Sequence, residues 1–201
     1  MFKNKKLLSQ QLKTLYIGGA ILNINEARTI KEKYKAADIV YIYGATECNL
    51  IAKTKLDAYI KHLQNKKIAC LGTKALGVDI KNNDKNEIMV SSKAILRQYI
   101  AGERKNAFVD GAGTFWHKTG DAGKYTDEGL YYLGRFDVYA IKNAKKVHTN
   151  PIEQGLTIDF ETIKKCAFFY YNGKNRLYIE SDKEPDFTSL RSYMLERGFD
   201  N

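Results

Sequence analysis

The apolar positions in the first 45 residues switch between strand spacing and helix spacing. Short continuous apolar runs over residues 14–17 and 38–43 are typical of buried strands. Between them, apolar residues recur every three or four positions, which predicts a helix capped near Asn23 or Asn25. Gly18-Gly19-Ala20 joins the first strand to this helix. Strand, glycine turn, helix and strand predict an α/β arrangement over residues 1–50.

The pattern becomes shorter and more hairpin-like after residue 50. Turn residues separate brief apolar runs up to residue 136, which is typical of a small, mostly antiparallel β subdomain. We expect helices over residues 7–12, 56–63 and 94–99, and strands over residues 67–71, 77–81 and 87–91.

The rear of the chain predicts a small α+β unit. Asn172-Gly173 lies between two apolar runs, and this dipeptide is a strong signal for a hairpin. A last helix is expected over residues 187–197, capped by Asp186 or Thr188 and ended by Gly198. The fold class predicted for the whole chain is therefore α/β (α+β), with a large unit over residues 1–136 and a small unit over residues 137–201.

The net charge of +10 raises the question of nucleic acid as a partner. Lysine supplies 26 of the 33 basic residues and is spread along the chain, whereas phosphate forks and base readout favour arginine. A solvated lysine-rich surface is the better interpretation, and we expect no nucleic-acid partner.

The cysteines and the apolar runs bear on where the protein works. Cys48, Cys70 and Cys166 lack the spacing of a disulfide framework or a zinc site, which favours a reducing cytoplasm. No apolar run approaches the roughly 20 residues of a membrane span, so no transmembrane segment is expected.

Three motifs carry residues suited to nucleotide chemistry. Tyr43-Gly44-Ala45-Thr46-Glu47 ends a predicted strand, where ligands of α/β sheets bind, and supplies a hydroxyl and a hard oxygen for Mg²⁺. Thr119-Gly120-Asp121 predicts a turn whose aspartate accepts hydrogen bonds from two neighbouring hydroxyls. Gly134-Arg135-Phe136-Asp137 predicts an arginine on a turn, with a donor fork for phosphate or ribose oxygens.

The order and spacing of these motifs resemble the acyl-adenylate-forming enzymes, which include acyl-CoA synthetases, adenylation domains of peptide synthetases and luciferases. Gly18-Gly19-Ala20 resembles the adenine segment of that family, and residues 43–47 resemble its Tyr-Gly-x-Thr-Glu motif. Residues 118–137 follow the family pattern of Thr-Gly-Asp, Asp/Glu-Gly-Tyr and Gly-Arg-x-Asp. Ile141-Lys142 and Pro151-Ile152-Glu153 continue the resemblance.

The resemblance implies roles for the front residues. Gly18, Gly19 and Ala20 would line the adenine, and Tyr43 would stack on the adenine or contact it through its backbone. The remaining residues of the motif would contact the reacting groups: Gly44 and Ala45 the substrate carboxylate, Thr46 the α-phosphate, and Glu47 the Mg²⁺.

The resemblance also implies roles for the later residues. Asp121 would bind both ribose hydroxyls, and Arg135 the ribose or a phosphate. Asp137 would be the hinge about which a small C-terminal domain rotates. The implied reaction activates a carboxylic acid with ATP to an acyl-adenylate, which then passes to a thiol such as coenzyme A.

Parts of the family pattern have no counterpart in this sequence. The family has a Ser/Thr/Gly-rich phosphate loop well before its Gly-Gly-Ala segment, and a lysine in a Gly-Lys context near its C-terminus. Neither feature is found in this sequence, so we expect the chain to carry the adenine, ribose and hinge part only. The family's glycine between Ile141-Lys142 and Val147, near the thiol tunnel, is also missing. The acyl substrate stays open, with fatty, aromatic and amino acids as alternatives. Two other readings are a non-catalytic AMP-binding relative and a basic nucleic-acid-binding domain.

Overall fold

The protein is described by a computed structural model over residues 12–101 and 105–199. The fold is mixed α/β with more strands than helices, which confirms the predicted class. The helix expected over residues 7–12 falls almost wholly outside the described residues. In chain order the strands are β1 (Thr14–Gly18), β2 (Asp38–Ala45), β3 (Asn49–Lys55), β4 (Ala69–Cys70), β5 (Thr73–Lys74), β6 (Val78–Asn82), β7 (Glu87–Ser92), β8 (Ala107–Val109), β9 (Phe115–Thr126), β10 (Gly129–Arg135), β11 (Ala140–Lys142), β12 (Lys145–Val147), β13 (Ile163–Tyr171) and β14 (Lys174–Ser181). The helices are α1 (Ile24–Lys33), α2 (Leu56–Lys66), α3 (Asn150–Asp159) and α4 (Phe187–Glu196).

The first sheet has the strand order β1-β2-β3-β5. β1 and β2 are parallel, so their carboxyl ends lie at the same edge, and α1 connects them. Asn23 caps α1 through a reciprocal capping box with Glu26, which fixes where the helix begins. This arrangement confirms the predicted strand, glycine turn, helix and strand.

The second sheet has the order β4-β10-β9-β7-β6, with β8 pairing at β9. All of its pairings are antiparallel, as the sequence of short apolar runs predicts. One hydrophobic cluster joins the two sheets, and its fully buried members include Tyr41, Ile51, Leu63 and Ile88. The second sheet is therefore packed against the first rather than separate from it.

The rear of the chain has its own apolar clusters. The hairpin of β13 and β14 turns at Asn172-Gly173, as predicted, and α3 and α4 cover one of its faces. Leu156, Ile163 and Leu190 are buried between these elements. Asp186 caps α4, and its side chain accepts from two backbone N–H groups of the first turn. The division of the chain into two domains near residue 137 stays a prediction.

One local prediction is wrong, and one strand was not predicted. Residues 94–99 form no helix, because the Leu96 N–H donates to the carbonyl oxygen of Glu47 at 2.8 Å rather than to a carbonyl one helical turn back. β3 was not expected, because Ile51 and Ala52 are adjacent and both fully buried, so the strand lacks the alternation that marks one.

Within the described parts of the chain, no helix has the length and apolar character needed to cross a bilayer.

Candidate nucleotide-binding cleft

A cleft of about 270 Å³ opens where β1 and β2 end. It collects residues from four separate stretches of sequence, including both sheets. Its lining consists of Gly19, Ala20, Ile21, Tyr41, Ile42, Tyr43, Gly44, Ala45, Thr119, Asp121, Tyr132 and Arg135. Seven of the residues predicted for the site are therefore brought together: Gly19, Ala20, Tyr43, Gly44, Ala45, Asp121 and Arg135.

The loop after β1 forms one wall of the cleft, and two buried tyrosines hold its backbone through hydrogen bonds. The Tyr41 hydroxyl donates to the carbonyl oxygen of Ala20 at 2.5 Å, and the Tyr59 hydroxyl donates to that of Leu22 at 2.6 Å. Both rings are almost fully buried, and their centroids lie 4.7 Å apart. This support fixes the backbone of the segment that, by the resemblance, is predicted to line an adenine.

Gly18 lies on β1 just outside the cleft lining. A Cβ at this position would lie 2.5 Å from the carbonyl oxygen of Ile42 on the neighbouring strand. Glycine is therefore required for the close approach of β1 and β2. The next residue, Gly19, has φ +95°, a left-handed conformation that favours glycine and that turns the chain into the cleft wall.

Asp121 is the centre of a hydrogen-bonded group on the floor of the cleft. The Tyr43 hydroxyl donates to Asp121 Oδ2 at 2.6 Å, and Arg135 Nη1 donates to Asp121 Oδ1 at 2.9 Å. The Asp121 side chain is nearly buried, whereas that of Arg135 is more than half exposed at the rim. Each carboxylate oxygen keeps a further lone pair with which it can accept a hydrogen bond. The group is thus a charged acceptor beside an exposed donor fork.

The pKa of Tyr43 is raised well above its usual range. Burial of the phenol is the larger cause, and the nearby Asp121 carboxylate is the second. Burial likewise raises the pKa of Tyr132, which also lines the cleft. Both phenols therefore stay protonated at neutral pH and remain hydrogen-bond donors.

The predicted turn at Thr119-Gly120-Asp121 is wrong, because these residues lie within β9. The strand is bent there: Gly120 has φ +73°, and the Asp121 N–H donates to Thr119 Oγ1 at 3.1 Å. Arg135 is likewise the last residue of β10 rather than a turn residue, and it pairs directly with Asp121 across the sheet. Strand pairing therefore brings the two charged side chains together.

Thr46 and Glu47 lie on the turn between β2 and β3, outside the cleft lining. Thr46 is exposed and Glu47 is half-buried. The Tyr99 hydroxyl donates to Glu47 Oε1, which holds the carboxylate in one orientation. Within residues 12–101 and 105–199, no group of three or more histidine, cysteine, aspartate or glutamate side chains converges in the manner of a metal centre.

Asp137 follows β10 in an exposed turn that leads to the short hairpin of β11 and β12. The start of the turn is fixed by a hydrogen bond from the Phe136 N–H to the carbonyl oxygen of Gly120 at 2.9 Å. The residue thus stands directly beyond the Asp121–Arg135 pair. Its hinge role stays a prediction.

Sequence reasoning missed Tyr41, Tyr132 and Tyr99 as contributors to this region. The period of two along β2 was a usable signal for Tyr41, since it places that residue on the same face as Tyr43. No local signal marks Tyr99, whose contact with Glu47 joins residues 52 positions apart.

Comparison with curated proteins gives ligases among the relatives of this chain. The chain is 30% identical over 155 residues to the D-alanine--D-alanyl carrier protein ligase of Streptococcus pneumoniae (strain ATCC 700669 / Spain 23F-1), over 70% of this chain and 30% of that protein. It is 28% identical over 159 residues to the ligase of the same name from Streptococcus agalactiae serotype V (strain ATCC BAA-611 / 2603 V/R), over 73% of this chain and 31% of that protein. The chain thus spans about 30% of the length of these curated relatives. No family profile matches it.

Solved structures share the fold. The amide bond synthetase McbA from Marinactinospora thermotolerans aligns with a TM-score of 0.72 and 20% identity, over 92% of this chain and 40% of McbA. The o-succinylbenzoate CoA synthetase (MenE) from Bacillus subtilis, in complex with the acyl-adenylate intermediate OSB-AMP, aligns with a TM-score of 0.66 and 20% identity, over 97% of this chain and 43% of MenE.

These relatives belong to the acyl-adenylate-forming superfamily, and by sequence and fold the chain is a member of that group, matched over part of its length.

Proposed function

We propose that the chain is the nucleotide-binding part of an AMP-forming ligase that activates a carboxylic acid with ATP. The observation that carries the proposal is the Tyr43–Asp121–Arg135 group in a cleft walled by Gly19 and Ala20. A carboxylate acceptor beside an exposed guanidinium suits a ribose hydroxyl pair next to a phosphate. The 30% identity to a ligase over 155 residues supports the proposal independently.

The proposed roles follow the geometry of the cleft. Adenine lies between the Gly19-Ala20 segment and Tyr43, and Asp121 accepts from the ribose hydroxyls. Arg135, at the rim, donates to a ribose or phosphate oxygen. Gly44 and Ala45 lie against the reacting carboxylate, and Gly18 supports the adenine segment from β1.

The metal in the proposal is Mg²⁺, held by Glu47. Magnesium is bound in such sites by one or two carboxylates together with substrate phosphates, so a single oriented carboxylate fits the role. The ion would supply charge neutralisation for the phosphates. Thr46 is exposed on the same turn, and its hydroxyl donates a hydrogen bond to the α-phosphate.

The proposed first step is displacement at the α-phosphorus of ATP. An oxygen of the acid forms a bond to the α-phosphorus, and the bond from that phosphorus to the bridging oxygen breaks, releasing pyrophosphate. In the second step a thiol attacks the acyl carbon, loses its proton and expels AMP. The chain contributes orientation of the ribose and α-phosphate and donors for the developing charge.

A carrier-bound thiol and coenzyme A are both acceptors of the required chemistry. The name of the curated ligase relatives supports a carrier protein, and that of the B. subtilis relative supports coenzyme A. We place the carrier protein first, because the sequence similarity is greater there. The boundary after Phe136, the hinge at Asp137 and a cytoplasmic location, where ATP and thiols are abundant, are parts of the same proposal.

A second candidate is a non-catalytic relative that binds AMP or an acyl-adenylate. The observation that favours this candidate is that Tyr43, Asp121 and Arg135 are assembled in the cleft, whereas Thr46 and Glu47 lie outside its lining.

Acid-dependent ATP–pyrophosphate exchange separates the two candidates. We would measure AMP binding by calorimetry and then exchange of labelled pyrophosphate, with D-alanine, fatty acids and aromatic acids as substrates. For a ligase we expect AMP binding by this chain together with acid-dependent exchange by the complete ligase of which the chain is proposed to be a part. Binding without exchange in either protein would support the non-catalytic relative. Absence of both from folded protein would contradict the proposed function.

A further inference from the structure

The Tyr43 hydroxyl has a partner that the proposed nucleotide contacts do not require. Stacking on adenine uses only the ring, and a backbone contact uses no side chain at all. The hydroxyl instead donates to Asp121 Oδ2 at 2.6 Å, across 78 residues of sequence, and Tyr43 as a residue is 8% exposed. A phenylalanine would fill the same space without this bond.

Asp121 is held on three sides by groups from three strands. Tyr43 of β2 donates to one carboxylate oxygen, and Arg135 of β10 donates to the other. On β9 itself, Thr119 Oγ1 accepts the Asp121 N–H and donates to the carbonyl oxygen of Ile88 at 3.0 Å. Two directional donors on different oxygens fix the rotation of the carboxylate plane, which a single donor does not.

We propose that Tyr43 is a positioning residue, whose hydroxyl orients Asp121 so that both carboxylate oxygens present an acceptor to a vicinal diol in the cleft. The inference rests on the proposed function and adds to it a reason for tyrosine at position 43. Arg135 alone leaves the carboxylate free to turn, because the arginine side chain is more than half exposed. The buried Tyr43 hydroxyl supplies the rigid contact.

The inference makes affinity depend on the ribose hydroxyls and on Tyr43 together. Tyr43→Phe keeps the ring and is expected to weaken AMP about 10-fold, the effect of losing one charge-assisted hydrogen bond. Its affinity for 2′,3′-dideoxy-AMP is expected to stay within about 2-fold of the wild-type value, since that ligand does not use the carboxylate. Calorimetric titration of both proteins with both nucleotides measures this coupling.

Tyr59→Phe is the matched control. It also removes a buried phenol, but the lost bond is to the carbonyl oxygen of Leu22, outside the cleft lining. Any effect of this change is expected to be equal for AMP and 2′,3′-dideoxy-AMP. A purely structural role of Tyr43 would give the same equal pattern.

A spectroscopic measurement on wild-type protein is independent of how well the variants fold. The Tyr43 hydroxyl proton resonance is expected to shift further with AMP than with 2′,3′-dideoxy-AMP, because both adenines stack on the ring and only AMP donates to the Asp121 carboxylate. If wild-type protein binds AMP while Tyr43→Phe loses both nucleotides equally, or neither, the positioning inference is overturned and the proposed function stands. If folded wild-type protein does not bind AMP at all, both fall.

Discussion

Asp121→Asn is expected to weaken AMP binding about 100-fold or more. The change keeps the shape of the side chain and removes the charge that Tyr43 and Arg135 both address. A hydrogen bond to a charged group contributes about 1.5 to 3 kcal/mol, and the proposed ribose contact makes two of them. The asparagine amide also turns two hydrogens toward a site where both existing partners are donors. Calorimetric titration with AMP measures the loss.

Asp127→Asn provides the matched control. It removes one negative charge from the exposed turn between β9 and β10, on the same hairpin as Asp121. Its AMP affinity is expected to equal that of wild-type protein, because exposed charges are screened by salt. Equal affinity of Asp121→Asn and wild-type protein, with both folded by circular dichroism, would remove Asp121 from the site.

Gly44→Ala is expected to lower the free energy of unfolding by about 3 kcal/mol, the range of severe overpacking. A Cβ on Gly44 would lie 2.0 Å from the carbonyl oxygen of Asn49 and 2.9 Å from the carbonyl carbon of the same residue. Both atoms belong to the backbone of β3, so the contact is relieved only by separating the hairpin. The pairing is already irregular between Tyr43 and Gly44. Urea unfolding followed by circular dichroism measures the change.

Gly111→Ala tests the same substitution in open space. Gly111 lies in the loop before β9, and an added Cβ would meet no atom within 4 Å. Here the loss of chain entropy in the unfolded state is expected to stabilise the protein by about 0.4 to 1 kcal/mol. Equal stabilities of the two variants would contradict the close approach of β2 and β3 at Gly44.

The local signals in the sequence predicted much of the fold. The helix at Ile24–Lys33 has its cap at Asn23, and the hairpin turns at Asn172-Gly173, because both features depend on residues close together in the chain. Residues 94–99 were misassigned because a tertiary contact with Glu47, not local spacing, fixes their path. β3 was missed because burial on both faces removes the polar alternation of a strand.

The sequence predicted which residues line the cleft better than it predicted the hydrogen bonds among them. Order and spacing pointed to Tyr43, Asp121 and Arg135, and the structure brings these side chains together. The tyrosine hydroxyl as a donor to Asp121 depends on how the two sheets pack, which no local pattern reports. Asp121 was predicted on a turn because the Thr-Gly-Asp sequence is typical of turns. In the structure Gly120 takes a positive φ within β9, so these residues belong to a bent strand.

The central claim is that AMP binds in the cleft with its ribose on Asp121. The structure of a crystal of this chain soaked with AMP tests this claim most directly. We expect AMP in the cleft, with its O2′ and O3′ within about 3.2 Å of the Asp121 carboxylate oxygens. Adenine is expected between the Gly19-Ala20 segment and the ring of Tyr43. An empty cleft at saturating AMP, or AMP bound away from Asp121, would contradict the account.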